Sequence, residues 1–268
     1  MIKLQILNAN NAVLAEATGD TEVYLYYKKE YNKGDSVRVV REKDSEIPGV
    51  FLHCSLDEVI GESVVYLTEK EMVYKIPFGN ERLNISPKAF SGAGHLLSVR
   101  IEKDYETNSY RCLSENRWDQ SMDTGAYPHA FSNIETRGEV VFAARNVIDG
   151  FHISTSHGEW PYTSWGPDLE VKDYFLQVNL GRETLVDRVM LHLRTDFPHD
   201  SWWKEGRLSF SDGSEENICI AKSFEGQEFC FKQRKTSWVR FDRLIRDERS
   251  DSPFPALMQL QIWGQEIR

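Results

Sequence analysis

The sequence predicts an all-β protein built from two β-sandwich domains. Apolar and polar residues alternate with period two in many short runs. Turn residues separate those runs at intervals of about ten residues, the spacing of sandwich strands. Long helical periodicity is nearly absent; only AVLAEA (12–17) and FDRLIRD (241–247) could make a turn or two of helix.

In the first part, IKLQIL, TEVYLYY, SVRVV, SVVYL, MVYKI and HLLSVRI read as half-buried strands. Gly19-Asp20, Lys33-Gly34-Asp35, Pro48-Gly49 and Phe78-Gly79-Asn80 supply turn chemistry between several of them. The charge runs Lys28-Lys29-Glu30 and Arg41-Glu42-Lys43-Asp44 read as solvated edges that discourage strand addition. In the second part, YFLQVNL places Tyr174, Leu176, Val178 and Leu180 on one face, and VDRVMLHL does the same for Val189, Leu191 and Leu193. RLSFSDGS ends in an Asp212-Gly213 turn, and WVRFD and MQLQIW close the series.

All seven tryptophans lie at or beyond residue 118. A polar stretch with weak periodicity separates the two parts. We therefore divide the chain into a β-sandwich of unassigned family (1–105), a linker or strap (106–126), and a second domain (127–268).

The chain has 268 residues and a formal net charge of −10, with 40% hydrophobic and 28% charged residues, a globular balance. The acidic excess argues against nucleic acid, which needs clustered Lys and Arg. No apolar run approaches the roughly 20 residues of a membrane span. The opening MIKLQILNANNAV lacks the basic head and apolar stretch of a signal peptide, so a cytoplasmic location is expected. Four cysteines without a CxxC pair argue against zinc and against a disulfide framework. If NICIA and EFCF flank a turn near Gly226, Cys219 and Cys230 face each other; two buried thiols are expected, with a disulfide as the alternative.

From Tyr127 onward five segments, in order, resemble a discoidin-type (galactose-binding-like) jelly roll, shared by coagulation-factor C-terminal domains and family 32 carbohydrate-binding modules. They are ARNVIDG (144–150), YFLQVNLG (174–181), LVDRVMLHLR (185–194), LSFSDGS (208–214) and LMQLQIWG (257–264). Asn179 stands where the family usually has Asp. The resemblance covers about half the chain. It implies a fold used for glycans, phospholipids and proteins, and also as a passive accessory to enzymes.

In such a sandwich, loops at one end carry recognition. Two are unusual here: FHISTSHGEWPYTSWGPD (151–168) and RTDFPHDSWWKEG (194–206), with RDERSDSPFPA (246–256) beside them. A sugar needs an aromatic shelf for its C–H face and planar polar groups for its hydroxyls. Trp202 or Trp203 is the expected shelf, because adjacent residues in an extended segment point opposite ways. Arg194, His199 and Asp200 are the expected hydroxyl readers, and His157, Glu159 and Trp160 the neighbouring loop's contribution. The alternative is that the tryptophans plug the sandwich end and that PHD is a capped turn.

In the resembling modules a calcium ion staples the early Asp-Gly loop to the closing strand. Asn146 and Asp149 match that loop, but Gln259, a neutral amide, replaces the closing carboxylate. A structural calcium is thus one expectation, and a plain turn hydrogen bond by Asp149 the other. His152 and His157 lack a third ligand at a zinc spacing, and His95 and His192 read as structural.

The expected function is non-catalytic carbohydrate binding. The alternatives are an accessory or interaction subunit of a sugar-metabolising enzyme, and a glycan-active enzyme using Glu159 and Asp200 as acid and base. No nucleophile elbow, phosphate loop, dinucleotide fingerprint or HExxH supports catalysis.

Overall fold

A computed structural model describes residues 1–41, 49–152, 160–167, 171, 173–195, 201–249 and 252–267. The first unit comprises β1 (Ile2–Leu7), β2 (Val13–Gly19), β3 (Glu22–Tyr27), β4 (Ser36–Arg41), β5 (Val50–Ser55), β6 (Ser63–Leu67), β7 (Glu71–Lys75) and β8 (His95–Ile101). Two short strands, β9 (Arg111–Cys112) and β10 (Ala126–Tyr127), follow. The second unit holds β11 (His129–Ser132), β12 (Leu176–Arg194), β13 (Trp203–Phe210), β14 (Glu215–Cys219), β15 (Gln227–Arg246) and β16 (Ala256–Glu266). Among the described residues no helix is long and apolar enough to cross a membrane.

The first unit is a sandwich of two antiparallel sheets, ordered β2-β1-β4-β7 and β10-β6-β5-β8-β3. Period two does what it predicts. In β3, Val23, Leu25 and Tyr27 are buried while Tyr24 and Tyr26 face solvent. Ile2, Leu4, Ile6, Val37, Val39, Leu52, Val65, Leu97 and Val99 fill the space between the sheets. AVLAEA is strand rather than helix, because β1 offers a ladder along its whole length. FDRLIRD likewise belongs to β15 as far as Arg246, paired with β13. In both, tertiary pairing overrides a weak local preference.

The second unit is an antiparallel jelly-roll sandwich, its strands ordered β14-β13-β15-β12-β16-β9 with β11 beside β12. YFLQVNL, from Leu176 onward, and VDRVMLHL are not separate strands but parts of the 19-residue β12. The register of β12 on β15 shifts between Asn179 and Thr184, so the strand bends there and passes from one layer to the other. Gly181 makes the bend possible: its φ is +72°, and a Cβ would meet the Tyr127 ring at 2.3 Å. Leu176, Val178, Leu180, Val189, Leu191 and Leu193 all enter the second core.

Cys219 and Cys230 are free and exposed, contrary to the buried pair expected. β14 joins the edge of β13, whereas Cys230 pairs with Arg188 of β12, so the two thiols do not face each other.

The segment 106–126 threads both units. β9 pairs with β16 at Trp263 and Gly264. Trp118 then enters the first core, donating its indole N–H to the Cys54 carbonyl at 2.9 Å. β10 adds a strand to β6, after which the chain returns to the second unit as β11.

His192, in β12, stacks on His152 at 4.5 Å, and its Nε2 is buried without a partner. Burial, with His152 adding repulsion, lowers its pKa from 6.5 to about 4.

Two outcomes are expected. Trp118→Ala removes a 2%-exposed side chain from the first core. It should cost about 3–5 kcal/mol in urea unfolding. For His192 the unfolded chain binds more protons between pH 4 and 6.5. Its contribution to stability is complete above that window and lost as pH falls through it. From pH 7 to 4.5, wild type should therefore lose about 2 kcal/mol more stability than His192→Gln.

Candidate functional site

The turn ARNVIDG is a short 3-10 segment (Ala144–Ile148) whose residues are all buried. It is held by Gln259 of β16. The Gln259 Nε2 group donates to Asn146 O at 2.9 Å, to Asp149 Oδ1 at 2.7 Å and to Phe151 O at 2.8 Å. Its Oε1 accepts the Gly150 N–H at 3.2 Å. Asp149 also accepts from Phe151 N and from the Thr163 hydroxyl. Burial pushes the Asp149 carboxyl up to about 6, against the opposing pull of Arg145 and these donors.

This geometry does not fit a calcium ion. The amide –NH2 itself sits among the oxygens that a cation would gather. Turning the amide over would aim its oxygen at a carboxylate and two carbonyls, and its NH2 at the Gly150 N–H. The network therefore decides the orientation. Asn146 points elsewhere, its Nδ2 donating to Val140 O and Ser164 O while its Oδ1 accepts from Asn84 of the first unit. Among the described residues no cluster of three or more His, Cys, Asp or Glu could hold a metal.

The tryptophans are not open shelves. Trp203 is fully buried, stacked on Trp165 at 5.8 Å and edge-on to Phe241, with its indole N–H donated to the Tyr174 hydroxyl. Trp202 is 7% exposed and is covered by the charged ends of Lys222 and Arg249 at 5.2 and 5.6 Å. Adjacent strand residues can both be buried where a loop folds over the outer one. Trp160 is half-buried at the seam between the units: its N–H donates to Leu83 O, and its ring meets Phe151 edge-on. The cavity beside Trp160, about 30 Å³, has room for little more than water. His157, Glu159, His199 and Asp200 lie outside the described residues.

Arg194 is the expected site residue that lines a larger pocket. It ends β12 opposite Ala256 of β16, at the loop end of the sandwich. Its guanidinium lies over the Tyr162 ring at 4.2 Å, and Nη1 donates to the Tyr162 hydroxyl at 2.8 Å. Together with Thr136, Arg137, Phe142 and Phe254 these two line a cavity of about 90 Å³. Phe254 is 50% exposed. Pro253 and Pro255 flank it, and rings that fix φ and remove N–H donors keep that loop out of the sheet. Sequence reasoning missed Phe254 because it weighed tryptophans first; the signal was the Pro-Phe-Pro run within 246–256.

No protein-family model and no curated protein sequence matches the chain. Among solved structures, the chain is similar to chitosan-binding module 1 of a chitosanase/glucanase from Paenibacillus sp. IK-5. Identity is 18% over 57% of this chain and 99% of that one, with a TM-score of 0.40. It is also similar to the family 32 carbohydrate-binding module of Clostridium perfringens NanJ in complex with galactose. There the figures are 16% identity, 50% and 92% coverage, and a TM-score of 0.39. A third is a fucose-binding module, SpX-3, of Streptococcus pneumoniae, at 12% identity, 58% and 99% coverage, and a TM-score of 0.42.

Adding calcium or a chelator should leave the thermal midpoint of wild type unchanged. Gln259→Glu places a second carboxylate against Asp149 and loses the donors, which should cost about 2–4 kcal/mol in chelator. Calorimetric unfolding with and without calcium reads both; a wild-type midpoint that rises on adding calcium would contradict this account of the turn.

Proposed function

We propose that the second unit is a non-catalytic carbohydrate-binding module whose sugar site is the pocket of Arg194, Tyr162 and Phe254. One observation carries the reading. An exposed ring, Phe254, stands at a loop-end pocket whose wall is a guanidinium fixed over a tyrosine. A pyranose presents both faces that such a pair complements. Its C–H face lies against Phe254, and its hydroxyls meet the polar wall. Tyr162 is itself fixed by the Ser164 hydroxyl at 2.9 Å, so the wall is pre-organised by the sandwich beneath it.

The pocket is small, and a single short sugar should bind weakly. A dissociation constant near 1 mM corresponds to about 4 kcal/mol, which repeated sites would raise by avidity.

A second reading, an accessory subunit that docks on a partner, draws on a separate feature. Tyr24 and Tyr26 of edge strand β3 are each 58% exposed, with Leu96 of β8 paired to Tyr26. Such a patch suits a protein surface more than a single sugar ring.

A glycan array of wild type and Phe254→Ala separates the two. Phe254 packs at the surface, so its truncation leaves the fold intact. It should weaken binding of the positive glycans about tenfold, or about 1.4 kcal/mol. Unchanged binding in Phe254→Ala overturns the site. No glycan signal, together with one stoichiometric partner lost in Tyr24→Ala/Tyr26→Ala, moves the assignment to the accessory reading.

A further inference from the structure

A cavity of about 450 Å³ lies between the two units and is separate from the Arg194 pocket. The first unit supplies Tyr74 and Lys75 from β7 together with Asn84. The threaded segment supplies Met122, and the ARNVIDG region supplies Val140 and Arg145. Its volume falls within the range of small-molecule sites, which favour domain interfaces.

The charges in its wall are unequally satisfied. Asp119 pairs with His129 Nδ1 at 2.8 Å and accepts the Ala130 N–H at 3.0 Å. Asp123 accepts from Gly125 N and the Tyr127 hydroxyl, both at 2.8 Å. Glu81 accepts from Phe78 N. The acids are thus engaged within the chain, whereas the cations Arg145 and Lys75 make no ion pair among the described residues. Arg145 is only 8% exposed, yet its one hydrogen bond runs from Nη2 to Arg117 O at 3.0 Å, and its Nε is buried without a partner. Burial raises the Asp119 and Asp149 carboxyls and Arg145 lies near enough to oppose that rise, but neither reaches ion-pair distance. Lys75, exposed at the end of β7, also has no ion pair among the described residues. Its backbone is closed off by Gln120, which pairs with both Lys75 N and Lys75 O.

A buried guanidinium without a carboxylate is unfavourable, and an anion arriving on its planar fork relieves that cost. Met122 and Val140 supply apolar wall that suits C–H faces, while the Tyr74 ring packs into the first core against Phe90 and Trp118. From this we propose that the inter-unit cleft binds a small polyhydroxylated monocarboxylate, of the size and charge of a uronic acid. Its carboxylate lies at Arg145 with Lys75 assisting, and its ring rests against Met122 and Val140. Because the lining comes from both units, the ligand also fixes one unit against the other.

Isothermal titration of the full chain with glucuronate, galacturonate, glucose and acetate tests this. A uronate should bind at least tenfold more tightly than glucose or acetate. Arg145→Gln should abolish that preference, Lys75→Gln should weaken uronate binding severalfold, and Phe254→Ala should leave it in place. Should circular dichroism show Arg145→Gln unfolded, Lys75→Gln decides alone. The proposal fails if neither uronate binds, if glucose binds equally well, or if Lys75→Gln leaves uronate affinity unchanged. It also fails if uronate binding is lost in Phe254→Ala, which would place the ligand at the other pocket.

Discussion

One side-chain amide holds the loop end of the second unit together. Gln259, in the closing strand, reaches two backbone carbonyls and a carboxylate with its NH2 and a backbone N–H with its oxygen. Five consecutive 3-10 residues with few ladder bonds of their own would otherwise bury unsatisfied groups. The amide meets that demand, and its neutrality matters. It sits at 2% exposure beside an equally buried Asp149, where a second charge would be costly. Everything the turn presents depends on this clamp, including Arg145 toward the cleft and Asn146 toward Asn84.

The second constraint is the path of the chain between the sandwiches. A segment that pairs with β16, lodges Trp118 in the other core, adds β10 to β6 and then returns as β11 cannot be pulled straight without opening both. Contacts across the seam, such as Trp160 N–H to Leu83 O and Asn84 to Asn146, then act on surfaces already brought together. This joining creates a walled cleft of ligand size that neither unit possesses alone.

Much of the architecture was legible as period-two patterning, because a strand's buried face is a local property of its residues. β1, β3, β4, β6, β7 and β8 fall where alternation places them. The misreadings share a cause. AVLAEA became an edge strand because a partner was present, and two runs fused into β12 because Gly181 bends the strand where the β15 register shifts and pairing resumes at Thr184. The site was harder. Arg194 is found at a pocket, but the indoles chosen as its companion are core, and an exposed phenylalanine stands there instead. Aromatic residues are attractive to a sugar and to a hydrophobic core for the same reason, so composition does not distinguish the two uses.

The sequence by itself determined the β class, the tryptophan-rich second half, and the order of segments resembling a discoidin-type jelly roll, since each is written in spacing and residue type. Tertiary structure alone decided which aromatic rings see solvent, whether Gln259 offers its nitrogen or its oxygen to the turn, and which charges find partners. Those outcomes depend on distances between residues far apart in the chain, Asp149 and Gln259 among them, and linear order does not encode such distances.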